Sequence, residues 1–133
     1  MISVLIKVYM NLKKIKIFKN KTGLLFSFQK KKNFKNAKRI FFIKGLKNAQ
    51  RGNHAHLKAS QLFINIDSKI IVNVIRKGYK KRLFLSKIGQ YFYCPPLSWV
   101  KLKFQKAGYL AVISNRIYEK NDYIKNYEDF LKI

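Results

Sequence analysis

The sequence predicts an all-β protein, a sandwich or barrel of short strands finished by one short C-terminal helix. Three observations carry this expectation. Apolar, β-type runs recur at intervals of roughly 8–12 residues, the spacing of sandwiches and barrels. Turn-forming residues punctuate every interval. Only the tail beyond Asp122 places its apolar residues at helical spacing. A chain of 133 residues with 48% hydrophobic and 15% aromatic content suits one domain with a real core rather than a disordered polymer.

Taken in order, Met1 to Met10 is apolar but too short to span a bilayer, which takes about 18 or more such residues. It also lacks a basic leader and a small-residue cleavage site. Residues 1–11 therefore read as an N-terminal extension, with Met10 as an alternative start, and residues 12–133 as a single domain. Ile15–Phe18 and Leu24–Phe28 form the first pair of strands around the turn Asn20-Lys21-Thr22-Gly23. Gln29–Lys38 is basic and polar, a surface loop. Arg39–Ile43 is the next run, followed by Gln61–Ile66, Ile70–Ile75, Arg82–Leu85, Tyr91–Cys94, Trp99–Phe104 and Tyr109–Ser114. Pro95 and Pro96 stand together in a bend, where they interrupt no central ladder. Tyr123, Ile124, Tyr127, Phe130 and Leu131 then give the tail helix its apolar stripe.

The net charge of +25 would attract any polyanion, whether nucleic acid, anionic membrane or diphosphate. Most of the basic residues are lysines spread along the whole chain, with Asn and Ile also abundant. An AT-rich coding sequence produces that pattern, so the charge does not assign a partner. The single cysteine, Cys94, excludes an internal disulfide and any multi-cysteine zinc site. Next to Pro95 it reads as a small packed side chain. With no membrane span in view, a cytoplasmic location is the default expectation.

Chemistry concentrates in Arg51-Gly52-Asn53-His54-Ala55-His56, which holds the only two histidines. In an extended strand, residues two apart point to the same face, so both imidazoles converge. A His-x-His alone is equally a structural or surface pair. Its neighbours add weight to a site. Arg51 offers a planar fork for phosphate, and Gly52 lets backbone approach closely. Gln61 opens the next strand. Beyond Gly89, the segment Pro95-Pro96-Leu97-Ser98-Trp99 supplies a bend and a large aromatic, either a cavity wall or core packing.

Arg-Gly-x-His-Ala-His, then Gln61, then the Gly-to-Pro-Pro-x-x-Trp segment, resembles the cupin branch of dTDP-4-oxo-6-deoxyglucose 3,4-ketoisomerases, the WxcM-like sugar isomerases. The resemblance continues through Ser114-Asn115 and Asp122-Tyr123-Ile124 with Tyr127 and Phe130, and runs from about Leu12 to the end. It implies a cupin-type jelly-roll β-barrel, usually a homodimer, that moves a ketone from carbon 4 to carbon 3 of a thymidine-diphosphate sugar. That product feeds synthesis of 3-amino-3,6-dideoxy sugars. Metal-binding cupins follow their His-x-His with a carboxylate and a third histidine. Here the carboxylate position holds Gln61 and no third histidine exists, so no metal and no cofactor are expected.

Such a reaction needs a base near neutral pKa, a proton donor at the ketone oxygen, and exclusion of bulk water. His54 and His56 are the catalytic candidates, with His56 favoured as carbon base. Arg51 is expected on the diphosphate, Gln61 on a sugar hydroxyl or a histidine tautomer, and Trp99 on the cavity wall. Two departures from the family pattern motivate a rival reading, a catalytically inactive nucleotide-sugar-binding cupin. Phe41 and Phe42 stand where relatives commonly carry tyrosine, and Thr22 stands where an arginine usually precedes the hairpin glycine. A third reading, a basic nucleic-acid-binding protein, finds no RNA-recognition or zinc-finger signature, and no specific nucleic-acid partner is expected.

Overall fold

The structure is a computed structural model that describes residues 11–29 and 36–133. The N-terminal extension, apart from Asn11, and most of the Gln29–Lys38 loop lie outside the described residues. Twelve strands follow in order: β1 (Lys13–Lys14), β2 (Lys16–Asn20), β3 (Gly23–Ser27), β4 (Arg39–Gly45), β5 (Gln50–His56) and β6 (Gln61–Asn65), then β7 (Lys69–Arg76), β8 (Tyr79–Leu85), β9 (Gln90–Cys94), β10 (Trp99–Lys106), β11 (Gly108–Ser114) and β12 (Tyr123–Ile124). One helix, α1 (Tyr127–Leu131), closes the chain.

Ten strands form two five-stranded sheets with orders β1-β9-β6-β11-β4 and β12-β5-β10-β7-β8, and β2-β3 make a separate hairpin. Among the described residues no ladder joins the two five-stranded sheets, so the expected jelly-roll layers are present as an open sandwich rather than a closed barrel. All the ladders are antiparallel. The alternation seen in the sequence explains the layering. In β11, Leu110 and Val112 point inward, while Ala111 and Ile113 point to the other face. The inward set joins Phe63, Phe92, Phe104, Val72 and Leu102 in the central core. The other face is also apolar, with Leu62, Ile64 and Tyr91, and Phe26 and Phe28 pack against it. Asn20 Oδ1 fixes the hairpin turn by accepting from the backbone N–H of Thr22 at 2.9 Å and of Gly23 at 3.2 Å.

The tail differs from expectation. Its helix is confined to Tyr127–Leu131, capped by Asn126, whose side chain accepts from the Asp129 N–H. Lys120–Asp122 is instead a 3-10 turn, and Tyr123–Ile124 pair with His56 and Ala55 as the edge strand of a five-stranded sheet. Two pulls override helical periodicity there. Ile124 packs on Ala55, Trp99 and Phe130, and the Asp122 carboxylate is bound by the backbone beyond β5.

Candidate active site

A cavity of about 270 Å³ opens at one end of the space between the sheets. One wall comes from the row of directly paired residues Arg39, Ser114, Gln61 and Cys94 across β4, β11, β6 and β9. Arg39, Gln61 and Cys94 line the cavity, and Phe63 forms part of its floor. The facing wall comes from β5 and β10 and carries Arg51, Gly52, His54, His56, Val100 and Leu102, with Tyr123 from β12.

A bulge decides what β5 presents. Val100 pairs with His54 and Lys101 with Gly52, leaving Asn53 as the extra residue. Gly52 and Asn53 both take positive φ, 86° and 59°. A Cβ on Gly52 would lie 2.6 Å from the Val100 carbonyl oxygen, so the close backbone approach read from the sequence is real. In a regular strand Arg51 would point away from His54. The inserted residue resets the phase, Arg51 pairs with inward-facing Leu102, and its side chain joins the histidines at the cavity.

His54 and His56 stand edge to face with ring centroids 5.3 Å apart, as two-residue spacing requires. Tyr123 packs on both, 5.1 Å from His54 and 4.3 Å from His56. His54 Nδ1–H donates to the Gly52 carbonyl at 3.2 Å, which leaves the Nε2 lone pair free. Burial, the neighbouring His56, and the Lys125 and Arg51 charges pull its pKa down to about 4, against a smaller upward pull from the Gly52 bond.

His56 is more firmly held. Its Nδ1–H donates to Asp122 Oδ2 at 3.0 Å. Asp122 also accepts from the backbone N–H of Lys58 at 2.7 Å and of Ala59 at 3.3 Å, so both its oxygens are occupied. Burial lowers the His56 pKa, opposed by the bond to Asp122 and by that carboxylate's charge, with Arg39 adding a further downward push. His56 lines the cavity, and its Nε2 is buried with no hydrogen-bond partner among the described residues. A buried imidazole nitrogen left bare is costly unless a ligand completes it. The His–Asp pair therefore presents one oriented, neutral base to whatever enters.

Of the residues singled out in the sequence, His54, His56, Arg51 and Gln61 meet at the cavity. Trp99 does not. Its indole is buried against Ala55, Ile124 and Phe130 and stacks edge-on to Tyr127 at 5.2 Å, pinning α1 to the sheet. Trp99 sits on the side of β10 away from Val100, and strand alternation sends it out of the cavity. The bend it follows does contribute, through Pro95 and Ser98. Arg76 braces that bend, donating to the Pro96 carbonyl at 2.6 Å and to Ser98 Oγ at 2.9 Å. Cys94 reaches the cavity as a thiol, with burial pushing its pKa up to about 12. Sequence reasoning missed Asp122, Tyr123 and Arg39 as site residues. The signal for the first two was the Asp122-Tyr123-Ile124 motif, read there only as the start of a helix.

Among the described residues no three His, Cys, Asp or Glu side chains gather as a set of metal ligands. No helix among them is long and apolar enough to cross a membrane.

Comparison with known proteins gives the family. Residues 8–133 match the model of the FdtA family, described as WxcM-like, C-terminal. A curated relative from Aneurinibacillus thermoaerophilus, named TDP-4-oxo-6-deoxy-alpha-D-glucose-3,4-oxoisomerase, is 26% identical over 113 residues, covering 83% of this chain and 81% of its own. Among solved structures, the sugar 3,4-ketoisomerase QdtA of Thermoanaerobacterium thermosaccharolyticum in complex with TDP superposes with a TM-score of 0.81 at 26% identity, covering 92% of this chain and 91% of that one. The TDP-fucose-3,4-ketoisomerase WlaRA of Campylobacter jejuni gives 0.78 at 28% identity, covering 92% and 93%. The paired histidines, the sandwich and the family match converge: this chain belongs to the FdtA family of WxcM-like proteins.

Proposed function

We propose that the protein is a dTDP-sugar 3,4-ketoisomerase, converting dTDP-4-keto-6-deoxyglucose to its 3-keto isomer on the way to dTDP-3-amino-3,6-dideoxy sugars. The observation that carries the reading is His56, a cavity-lining imidazole with a buried, unpartnered Nε2 and with Asp122 on its Nδ1. The named relatives supply the substrate class.

In this reading His56 Nε2 takes the proton from carbon 3, alpha to the ketone. The C–H electron pair becomes the C3–C4 double bond, and the carbonyl oxygen at carbon 4 takes a proton, giving an enediol. The hydroxyl at carbon 3 then loses its proton as carbon 4 gains one, leaving the ketone on carbon 3. No electrons leave the sugar, and atoms balance without a redox partner. Asp122 holds His56 in the tautomer that leaves Nε2 as base and offsets the cost of the imidazolium that forms. His54, also with a free Nε2, is the partner for the oxygen-bound protons. Arg51 at the mouth binds the diphosphate through charge-assisted hydrogen bonds, and Gln61 orients a sugar hydroxyl. Immobilising the tail fixes the reacting carbons against the base, worth several kcal/mol in favourable cases, roughly 7–11 at the limit.

The experiment is incubation with dTDP-4-keto-6-deoxyglucose in deuterium oxide, followed by NMR. Deuterium at carbon 3 or carbon 4 together with a 3-keto product is expected. A protein that binds TDP yet leaves the sugar unexchanged is the inactive nucleotide-sugar-binding cupin instead, the reading favoured by Phe41 and Phe42 where relatives commonly carry tyrosine. We also propose a homodimer. Ile40 and Phe42 on edge strand β4 are 62% and 63% exposed, apolar surface that a second copy would cover. Light scattering reads the mass directly.

A further inference from the structure

Arg39 opens β4, on the sheet opposite the histidines, and its side chain lines the cavity. Rings hold it rather than acids. The guanidinium carbon lies 4.4 Å from the Phe41 centroid and 5.2 Å from that of Tyr118. Cation–π attraction fixes the plane of the fork but consumes none of its N–H donors. The Arg39 guanidinium makes no ion pair or hydrogen bond among the described residues, and the acids that might have claimed it are engaged elsewhere. Asp122 is filled by His56 and two backbone N–H groups, Glu119 pairs with Arg116 at 2.8 Å, and Asp67 accepts from the Tyr109 N–H. A chain of 30 basic and five acidic residues has no other carboxylate near β4 to offer.

Position separates the two cavity arginines. Arg51 is exposed and beside His54, where an anionic tail leading to solvent would lie. Arg39 is half-buried and belongs to the inner group. Tyr118 contacts Tyr123 at 5.6 Å, and Tyr123 contacts His56 at 4.3 Å, so a continuous set of rings ties Arg39 to the base. Arg39 also disfavours the protonated form of His56, evidence that the cation and the imidazole share one small volume.

We propose that Arg39 is a catalytic residue whose free guanidinium N–H groups grip the ketone oxygen and stabilise the negative charge that develops there as the enediolate forms. This rests on the ketoisomerase reading above. When His56 Nε2 removes the carbon-bound proton, the π electrons of the C=O bond move onto oxygen, turning a neutral acceptor into an oxyanion. A fork already oriented by two rings meets that charge without reorganising.

The test compares wild type, Arg39→Met, Arg39→Lys and Arg51→Met, measuring kcat, KM, carbon-3 deuterium exchange and TDP affinity. Arg39→Met is expected to lose about 100- to 1,000-fold in kcat, with exchange slowed in parallel, the scale of removing one oxyanion donor. Its TDP affinity should stay within about threefold, because the effect lies in the transition state. Millimolar guanidinium should restore part of the lost turnover. Arg51→Met should differ in kind, weakening TDP and raising KM far more than Arg39→Met does. Should Arg39→Met fail to fold, Arg39→Lys, which keeps the charge without the fork, is expected to lose kcat at unchanged TDP affinity; full kcat there overturns the proposal. Weakened TDP with kcat intact in Arg39→Met would make Arg39 a phosphate anchor and also overturn it. Absence of exchange in wild type would sink the ketoisomerase reading and this inference with it, whereas exchange in wild type at an undiminished rate in Arg39→Met would sink this inference alone.

Discussion

The two ends of the space between the sheets are built from the same inward-facing alternation but filled in opposite ways. At the closed end Phe104 pairs with Ile70, and Ile70 with Leu85, all three fully buried. Gly45 carries no side chain because the Phe104 ring occupies the place of one. The polar group there, Asn65, is saturated. Its Nδ2 donates to the Ser68, Leu85 and Lys87 carbonyls, and its Oδ1 accepts from the Ser68 N–H at 2.9 Å. At the open end the equivalent row reads Arg39, Ser114, Gln61 and Cys94, and His56 Nε2 is left bare. One end ties its polar groups into the fold, and the other leaves His56 Nε2 without a partner. Stability is concentrated where chemistry is absent.

The sharpest way to break that contrast is His56→Ala. Turnover should fall about 100- to 10,000-fold, the range for a general acid–base group, with the melting temperature nearly kept. A loss of folding with no specific loss of kcat would mean the open end is merely a second core. Asp122→Asn comes next. The amide cannot hold the His56 tautomer as an acceptor on both oxygens, and it leaves one of the Lys58 and Ala59 N–H groups short. We expect a kcat loss of about 10- to 100-fold, plus a destabilisation of about 1–3 kcal/mol read by urea titration. Trp99→Ala should show the inverse profile, costing about 3–5 kcal/mol of stability while KM scarcely moves. A KM rise out of proportion to the lost stability would return the indole to the substrate.

The smallest effect is in pH. His54 has a folded pKa near 4, below its ordinary 6.5, so the unfolded chain binds the proton more readily. The associated stability is present in full above pH 6.5 and drains away as pH falls through the window toward 4. Activity should share the direction. With both imidazoles held below their usual range, the acid limb of kcat/KM is expected under pH 6.5. A limb above 7 would mean that the working imidazole is held above its usual range, against the pull of burial.

Local patterns were the legible part. Each alternating run from Arg39 to Ser114 became a strand, and the two-residue spacing of His54 and His56 correctly put both rings on one wall. Long-range pairings were not legible. Nothing local marks Asp122 as the partner of a histidine 66 residues earlier, because that contact exists only once β12 docks on β5. The same docking replaced the helix expected at Tyr123 and Ile124, whose periodicity fits either state over so short a stretch. Trp99 was misread for a related reason. A large aromatic after a bend suits a cavity wall or a core, and only the register of β10 chooses. Arg39 was hidden by abundance, one cation among thirty.

Asn53, the unpaired residue of β5, works like a half-turn of a key cut into the strand. Drawing that residue into the ladder opposite Lys101 would set Arg51 opposite Lys103 and swing it to the outer surface, while the two imidazoles keep their bearing on Val100. On the proposed reading, capture of the nucleotide and handling of the proton are thus separable at one backbone position.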